Sequence, residues 1–493
     1  MNKRLHLSLY FFIIRKSSVA LLPCLAALLV TGAVNARAAE LLVGVATADI
    51  TPEEPVAQIG SFSLRVAKTA ESPMTATVLV LESREGEKVL DQAIMVSCDL
   101  CVIRGGLGEM LRQRVKSRIA GLDVRKLFLS ALHSHTAPVT SDKNYAVPKG
   151  IMQPAEYREF FCDRVTDAVV KAWEGRKPGG VSWGLGHAVV AQNRRAVYAD
   201  GTAHMHGKTN RPDFRGIEGY EDHGVGVLFF WNARKKLIAT AIDVACPAQE
   251  VQGHPAINAD FWHETRELVK KKYGKDLCVL GWCGAAGDQS PHLMYNRAAE
   301  ERMRKLRGLT RLEEIARRIG RAVDEVYEVA KDDIRTDLPL VHKVEDIEIP
   351  MRIVTAKEYA VAKAQVETLS KNDRNRRRQV WYQEVVDRYA SQKEHPNYEM
   401  ELHVIRLGDV AISTNPFELY TDYGICIQAR SKAVQTFVIQ LVGWGTYVPT
   451  ARAVKGGGYS TSVQNNRVGP EGGQVLVDKT VEAINSLWPV AQK

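Results

Sequence analysis

The sequence predicts an α/β (α+β) domain layered on a mixed sheet. Two observations predict it. Short apolar runs rich in β-branched residues recur along the chain, and amphipathic stretches with helical spacing lie between several of them. A third observation bears on organisation: no Pro/Gly/Ser linker, low-complexity tract or internal repeat interrupts the chain, which favours one continuous body.

The apolar runs fall at 41–46, 76–81, 92–97, 126–130, 225–231, 237–244, 277–281, 410–413 and 436–441, and each reads as a buried strand. Helical spacing marks 107–119, 155–173, 261–273, 312–329 and 420–429. The charged segment 355–395 carries Ala, Val and Leu every three or four positions amid Lys, Arg and Glu, so it is expected to be a helical excursion on the surface, away from any site.

Residues 1–38 read as a signal peptide. Lys3, Arg4, Arg15 and Lys16 precede an apolar run from Val19 to Val30, which Pro23 interrupts and which is short for a bilayer span. Ala36-Arg37-Ala38 then offers an A-x-A cleavage site. The expectation is an exported protein, periplasmic or secreted, with no stable transmembrane segment after cleavage and one domain over 39–493.

Formal net charge is +9, and removing the five cations of residues 1–38, a segment without acids, leaves +4. The remaining Lys and Arg interleave with Glu and Asp, as across 300–321, so no nucleic-acid partner is implied. A small-molecule, lipid or glycan substrate is expected instead. Setting aside Cys24 leaves seven of eight cysteines, an odd number without regular spacing in a chain too long to depend on a disulfide framework, so at least one thiol is expected to stay free. Cys98 and Cys101 form a C-x-x-C with no partner motif and read as structural.

The chemistry gathers at strand ends. His133-Ser134-His135 follows the strand at 126–130, and in extended geometry residues i and i+2 face one side, suiting a metal ion or a ligand beside an acid/base. Arg194 follows Asn193 and is able to hold an oxyanion or carboxylate. The small-residue turn at 284–291, ending Gly287-Asp288-Gln289-Ser290-Pro291, is expected to be structural. Asn415-Pro416-Phe417-Glu418 follows another strand, and Tyr447 and Tyr459 flank a glycine-rich stretch.

Taken in order, Val43 to Pro52, the H-S-H-T-A-P turn, Asn193-Arg194, G-A-A-G-D-Q-S-P, N-P-F-E, and Tyr447 with Tyr459 resemble the neutral/alkaline non-lysosomal ceramidase family. The resemblance spans the family's N-terminal catalytic domain, without the β-sandwich domain that follows it there. It implies a zinc amidase, with His133 and Tyr447 as metal ligands. His135 would contact the reacting oxygen, Arg194 the anionic end of the substrate, and Tyr459 the active site. Two ligand positions depart from the pattern. Cys246 stands where the family has its second histidine, and Asn415 where it has its glutamate, with Glu418 three residues on. The metal set implied is therefore His133, Cys246, Glu418 and Tyr447, with His254, Asp260 and His263 nearby in sequence as further donors. Two other readings of the same pocket stay open: a metal-independent sugar- or uronate-acting hydrolase or lyase, and a non-catalytic binding protein.

Overall fold

The structure, a computed structural model, describes residues 39–488. The expected signal peptide lies outside the described residues. Eight strands form the large sheet: β1 (Glu40–Asp49), β2 (Thr75–Glu85), β3 (Lys88–Cys98), β4 (Leu127–Ala131), β5 (Lys177–His187), β6 (Gly224–Asn232), β7 (Leu237–Val244) and β8 (Cys278–Cys283), in the order β8-β7-β6-β5-β1-β2-β3-β4. A second sheet holds β9 (Leu340–Pro350), β10 (Asn397–Leu407), β11 (Val410–Thr414) and β12 (Gln435–Ile439), in chain order. Most neighbours are antiparallel, but β3/β4, β7/β8 and β11/β12 run parallel.

Alternation along each strand sends neighbouring residues to opposite faces. Val78, Val80, Ile94 and Val96 meet the helices Leu107–Arg118 and Pro154–Gly175 through Leu111, Phe161 and Val165. Leu79, Leu81 and Met95 face the other way, onto Ile405, Leu407, Ile412 and Phe437 of the second sheet. The helices Phe261–Tyr273 and Arg311–Ala330 cover the other half of the large sheet, and Pro470–Ser486 covers the outer face of the second. The layers are therefore helix, sheet, sheet, helix. Both faces of the central strands are buried, which is why they read as continuous apolar runs.

Three strands carried no such signal. In β5 the glycines make room for a helix: a Cβ on Gly184 would lie 2.6 Å from Val326, and one on Gly186 2.8 Å from the Ala322 carbonyl. β9 and β10 alternate apolar and charged residues and leave one side wet, so their period is weaker than their length. Segment 355–395 is helical as expected, forming Ala356–Leu369 and Arg376–Ser391. All seven described cysteines are free thiols. Among the described residues no helix is long and apolar enough to cross a membrane.

The parallel pairs position the site, because each sends two carboxyl ends the same way. The segments leaving those ends are stitched together: Ala248 N donates to the Leu132 carbonyl (2.9 Å), Ala131 N to Leu441 (3.2 Å), Gln440 N to Cys283 (3.0 Å) and Gly284 N to Val244 (2.9 Å). Just past β3, the buried Asp99 carboxylate takes both arms of Arg266 from helix Phe261–Tyr273, at 2.7 and 2.8 Å.

Candidate active site

His133 sits two residues past β4 with φ of 69°, in the left-handed region. The strand has ended, so the extended geometry expected for the H-x-H does not hold. The two rings nonetheless meet edge to face, with centroids 4.7 Å apart. A non-glycine residue held at positive φ costs about 1–2 kcal/mol and marks a position over-determined by its surroundings. Here Nδ1 of His133 donates to the Cys101 carbonyl at 2.8 Å, which fixes the tautomer and leaves Nε2 as an acceptor.

That Nε2 faces Glu418 Oε2 at 3.4 Å. Two acceptors at this separation require a proton or a cation between them. Glu418 in turn accepts from the Tyr447 hydroxyl, and Arg194 Nη2 lies 3.4 Å from the same hydroxyl. Arg194 is anchored through Nη1 to Gln249 Oε1 (2.8 Å) and through Nη2 to the Gly287 carbonyl (2.9 Å). Gln249 Nε2 approaches His135 Nε2 at 3.5 Å. Tyr459 lies over Tyr447 with ring centroids 6.2 Å apart, near perpendicular. His133, His135, Glu418, Tyr447 and Tyr459 line a cavity of about 130 Å³, with Arg194 and Gln249 behind them. Its floor is tight: Gly60, at φ of 90°, lies so close that a Cβ there would sit 2.8 Å from the His135 ring.

The electrostatics follow from this packing. Burial disfavours the Glu418 carboxylate, but His133 and Arg194 outweigh it and hold its pKa at about 2. Burial, with Glu418 beside it, pushes the Tyr447 phenol well up, so it stays a donor. Burial also opposes charge on Cys101, yet His133 and His135 bring that thiol down to about 5.

The donors suit zinc. Cys101, His133 and His135 each offer a ligand atom within 4.8 Å of the others, and Nδ1 of His135 is buried without a partner, while Glu418 stands on the other side of the His133 ring, at Nε2. The backbone carbonyl behind His133 is the kind of outer support that metal-binding histidines use.

No protein-family model and no curated protein matches the chain. Solved structures do. Neutral ceramidase from Pseudomonas aeruginosa superposes with a TM-score of 0.65 at 17% identity, over 92% of this chain and 75% of that one. The fold is that of neutral ceramidase. A second structure, ceramidase complexed with C2, gives a TM-score of 0.64 at 17% identity, covering 91% of this chain and 75% of its own.

Within this neutral ceramidase fold, the structure gathers His133, His135, Arg194, Glu418, Tyr447 and Tyr459 around one cavity and its supporting shell. Cys246 does not join them. It lies in the helix-side core, with its thiol toward the carbonyls of Val190 (3.9 Å) and Pro247 (3.8 Å), and burial pushes its pKa well up. Asn415 is a turn residue, its Oδ1 accepting from Phe417 N at 3.1 Å, and this turn swings Glu418 inward instead. Asp260 caps helix Phe261–Tyr273, and His254 pairs with Glu71 at 3.2 Å, so neither enters the cavity wall. Asp288 is structural as expected, accepting from Thr421 N, Thr421 Oγ1 and Asn193 Nδ2, each at 2.8 Å.

Sequence reasoning missed Cys101, Gln249, Arg104, Arg377 and Trp381. Cys101 belongs to the C-x-x-C read as structural, and its position just past a parallel strand end was the available signal. The excursion read as remote from any site is a wall of it. From helix Arg376–Ser391, Arg377 lines the cavity and Trp381 stacks on Tyr459 at 6.1 Å.

Proposed function

We propose that the protein is an exported, zinc-dependent hydrolase that cleaves an amide (N-acyl) bond. The observation that carries the reading is the facing pair of His133 Nε2 and Glu418 Oε2, 3.4 Å apart, in a neutral ceramidase fold. His133 and Glu418 would hold the ion, with Tyr447, His135 and Cys101 around them. Zinc held there would supply Lewis acidity, to polarise a carbonyl and acidify water.

The chain's own groups supply the rest. Arg194, fixed by Gln249 and Gly287, keeps a positive charge behind Tyr447 and Glu418, so charge developing on a carbonyl oxygen is met without reorganisation. His135 stands beside His133 with an unpartnered Nδ1 and would carry a proton to the departing amine. Tyr459, reaching over the cavity, would orient the acyl group.

One observation favours a second reading. Cys101 Sγ lies 3.7 Å from His133 Nδ1 and Glu418 faces Nε2 across the ring, so a Cys101 thiolate beside a protonated His133, with the carboxylate behind it, is the alternative nucleophile. Amine release from a panel of N-acyl compounds separates the two. The zinc reading predicts release that a chelator abolishes, zinc restores and Cys101→Ala largely retains. Release insensitive to chelator and lost in Cys101→Ala would transfer the chemistry to the thiol. No release from any N-acyl compound would refute both.

A further inference from the structure

We propose that the substrate carries an anionic group, a carboxylate or sulfonate, seated between Arg104 and Arg377 at the mouth of the His133 cavity. The identity of the cleaved bond rests on the amidase reading above; the anion subsite stands on observations of its own.

Both guanidiniums line the cavity, and among the described residues neither makes an ion pair. Arg104 donates only to carbonyls, from Nε to Trp444 at 2.7 Å and from Nη2 to Gly445 at 3.1 Å, with its guanidinium 4.9 Å from the Trp444 ring centre. Arg377 has a single long contact, Nη1 to Asn144 Oδ1 at 3.5 Å. The two charges repel across the opening: burial, and then Arg377, bring the Arg104 pKa down to about 10. Among the described residues, the acids that act on Arg104 are committed elsewhere, Glu418 to His133 and Glu384 to Arg467, each at 3.4 Å. Both side chains are half-buried on the cavity, and neither charge is offset by an acid among the described residues.

The helix that carries Arg377 adds an independent argument. Arg376, Arg377 and Arg378 occupy its first turn, where no acid offsets them and Asn375 makes no side-chain cap. Cations at a helix amino end oppose the macrodipole. The partner helix Ala356–Leu369 follows the usual rule, with a Thr355/Glu358 capping box. Local rules broken in this way collect at functional positions. An anion there would meet two guanidiniums together, with bidentate geometry available. Trp381, Tyr459 and Phe62 form a wall beside it, with Phe62 5.2 Å edge-on to Trp381. A cavity of about 130 Å³ suits a compact group against that wall rather than a long chain.

Calorimetric titration with N-benzoylglycine and its neutral counterpart N-benzoylethanolamine tests this. Wild type is expected to bind the acid at least about tenfold more tightly, with the preference shrinking as salt rises. Arg377→Gln is expected to weaken the acid about tenfold and the alcohol less than twofold, and Arg377→Lys to recover part of the loss. Should Arg377→Gln fail to fold, Arg104→Gln carries the same expectation. Equal or undetectable binding of the two compounds by wild type overturns the proposal, as does equal weakening of both in the variants. Tight binding of the acid with no hydrolysis of either would leave the subsite standing and remove the amidase reading. Hydrolysis of both without charge preference would do the reverse.

Discussion

Glu418→Gln is expected to lower kcat/KM by about 10³, the equivalent of roughly 4 kcal/mol of lost transition-state stabilisation. The carboxylate faces His133 Nε2 and accepts from Tyr447, so the amide removes the negative charge and places a donor or a weak ligand where zinc would bind. His133→Asn is expected to act in the same direction. Asparagine suits that control because it tolerates the left-handed backbone that His133 adopts at φ of 69°, whereas alanine would add strain. Steady-state kinetics beside urea midpoints separate chemistry from folding: both variants should stay folded while turnover collapses. Activity within tenfold of wild type in a folded Glu418→Gln protein would remove this carboxylate from the mechanism.

Arg266→Ala is expected to destabilise the fold by about 3–5 kcal/mol, because it strands a buried carboxylate. Asp99 is fully buried and receives both arms of Arg266, keeping afterwards only Thr75 N (2.7 Å) and Thr75 Oγ1 (3.1 Å). The pair clamps the end of β3 to helix Phe261–Tyr273, two residues before Cys101, so loss of the clamp should also loosen the cavity wall. Replacing both partners with apolar residues, Asp99→Leu with Arg266→Met, should recover part of the loss, since no unpaired charge then remains. A urea midpoint for Arg266→Ala that implies less than about 1 kcal/mol would contradict this account of the clamp.

The layered fold was legible because its central strands are buried on both faces. Runs such as 92–97 and 225–231 show this plainly, and each falls inside an observed strand. β5 escaped because glycine, which carries no hydrophobic signal, is what helix Arg311–Ala330 needs beneath it. In the candidate site, polar residues leaving strand ends were visible as motifs, hence His133, His135, Arg194 and Glu418. Their partners were not, since Cys101 and His133 meet only through the pairing of β3 with β4. Cys246 looked suitable by position in sequence, yet the strand before it delivers it to the helix-side core. Arg377 and Trp381 were hidden for a different reason. Charged helical periodicity describes a solvated face equally well whether or not the helix folds back over a cavity.

Metal content tests the central claim most directly. Elemental mass spectrometry of the purified protein is predicted to find about one zinc per chain in wild type and in Cys246→Ser, and little in His133→Asn or Glu418→Gln. Folded wild-type protein without stoichiometric metal, even after incubation with zinc, would contradict the zinc hydrolase and leave the Cys101 thiol to carry the chemistry.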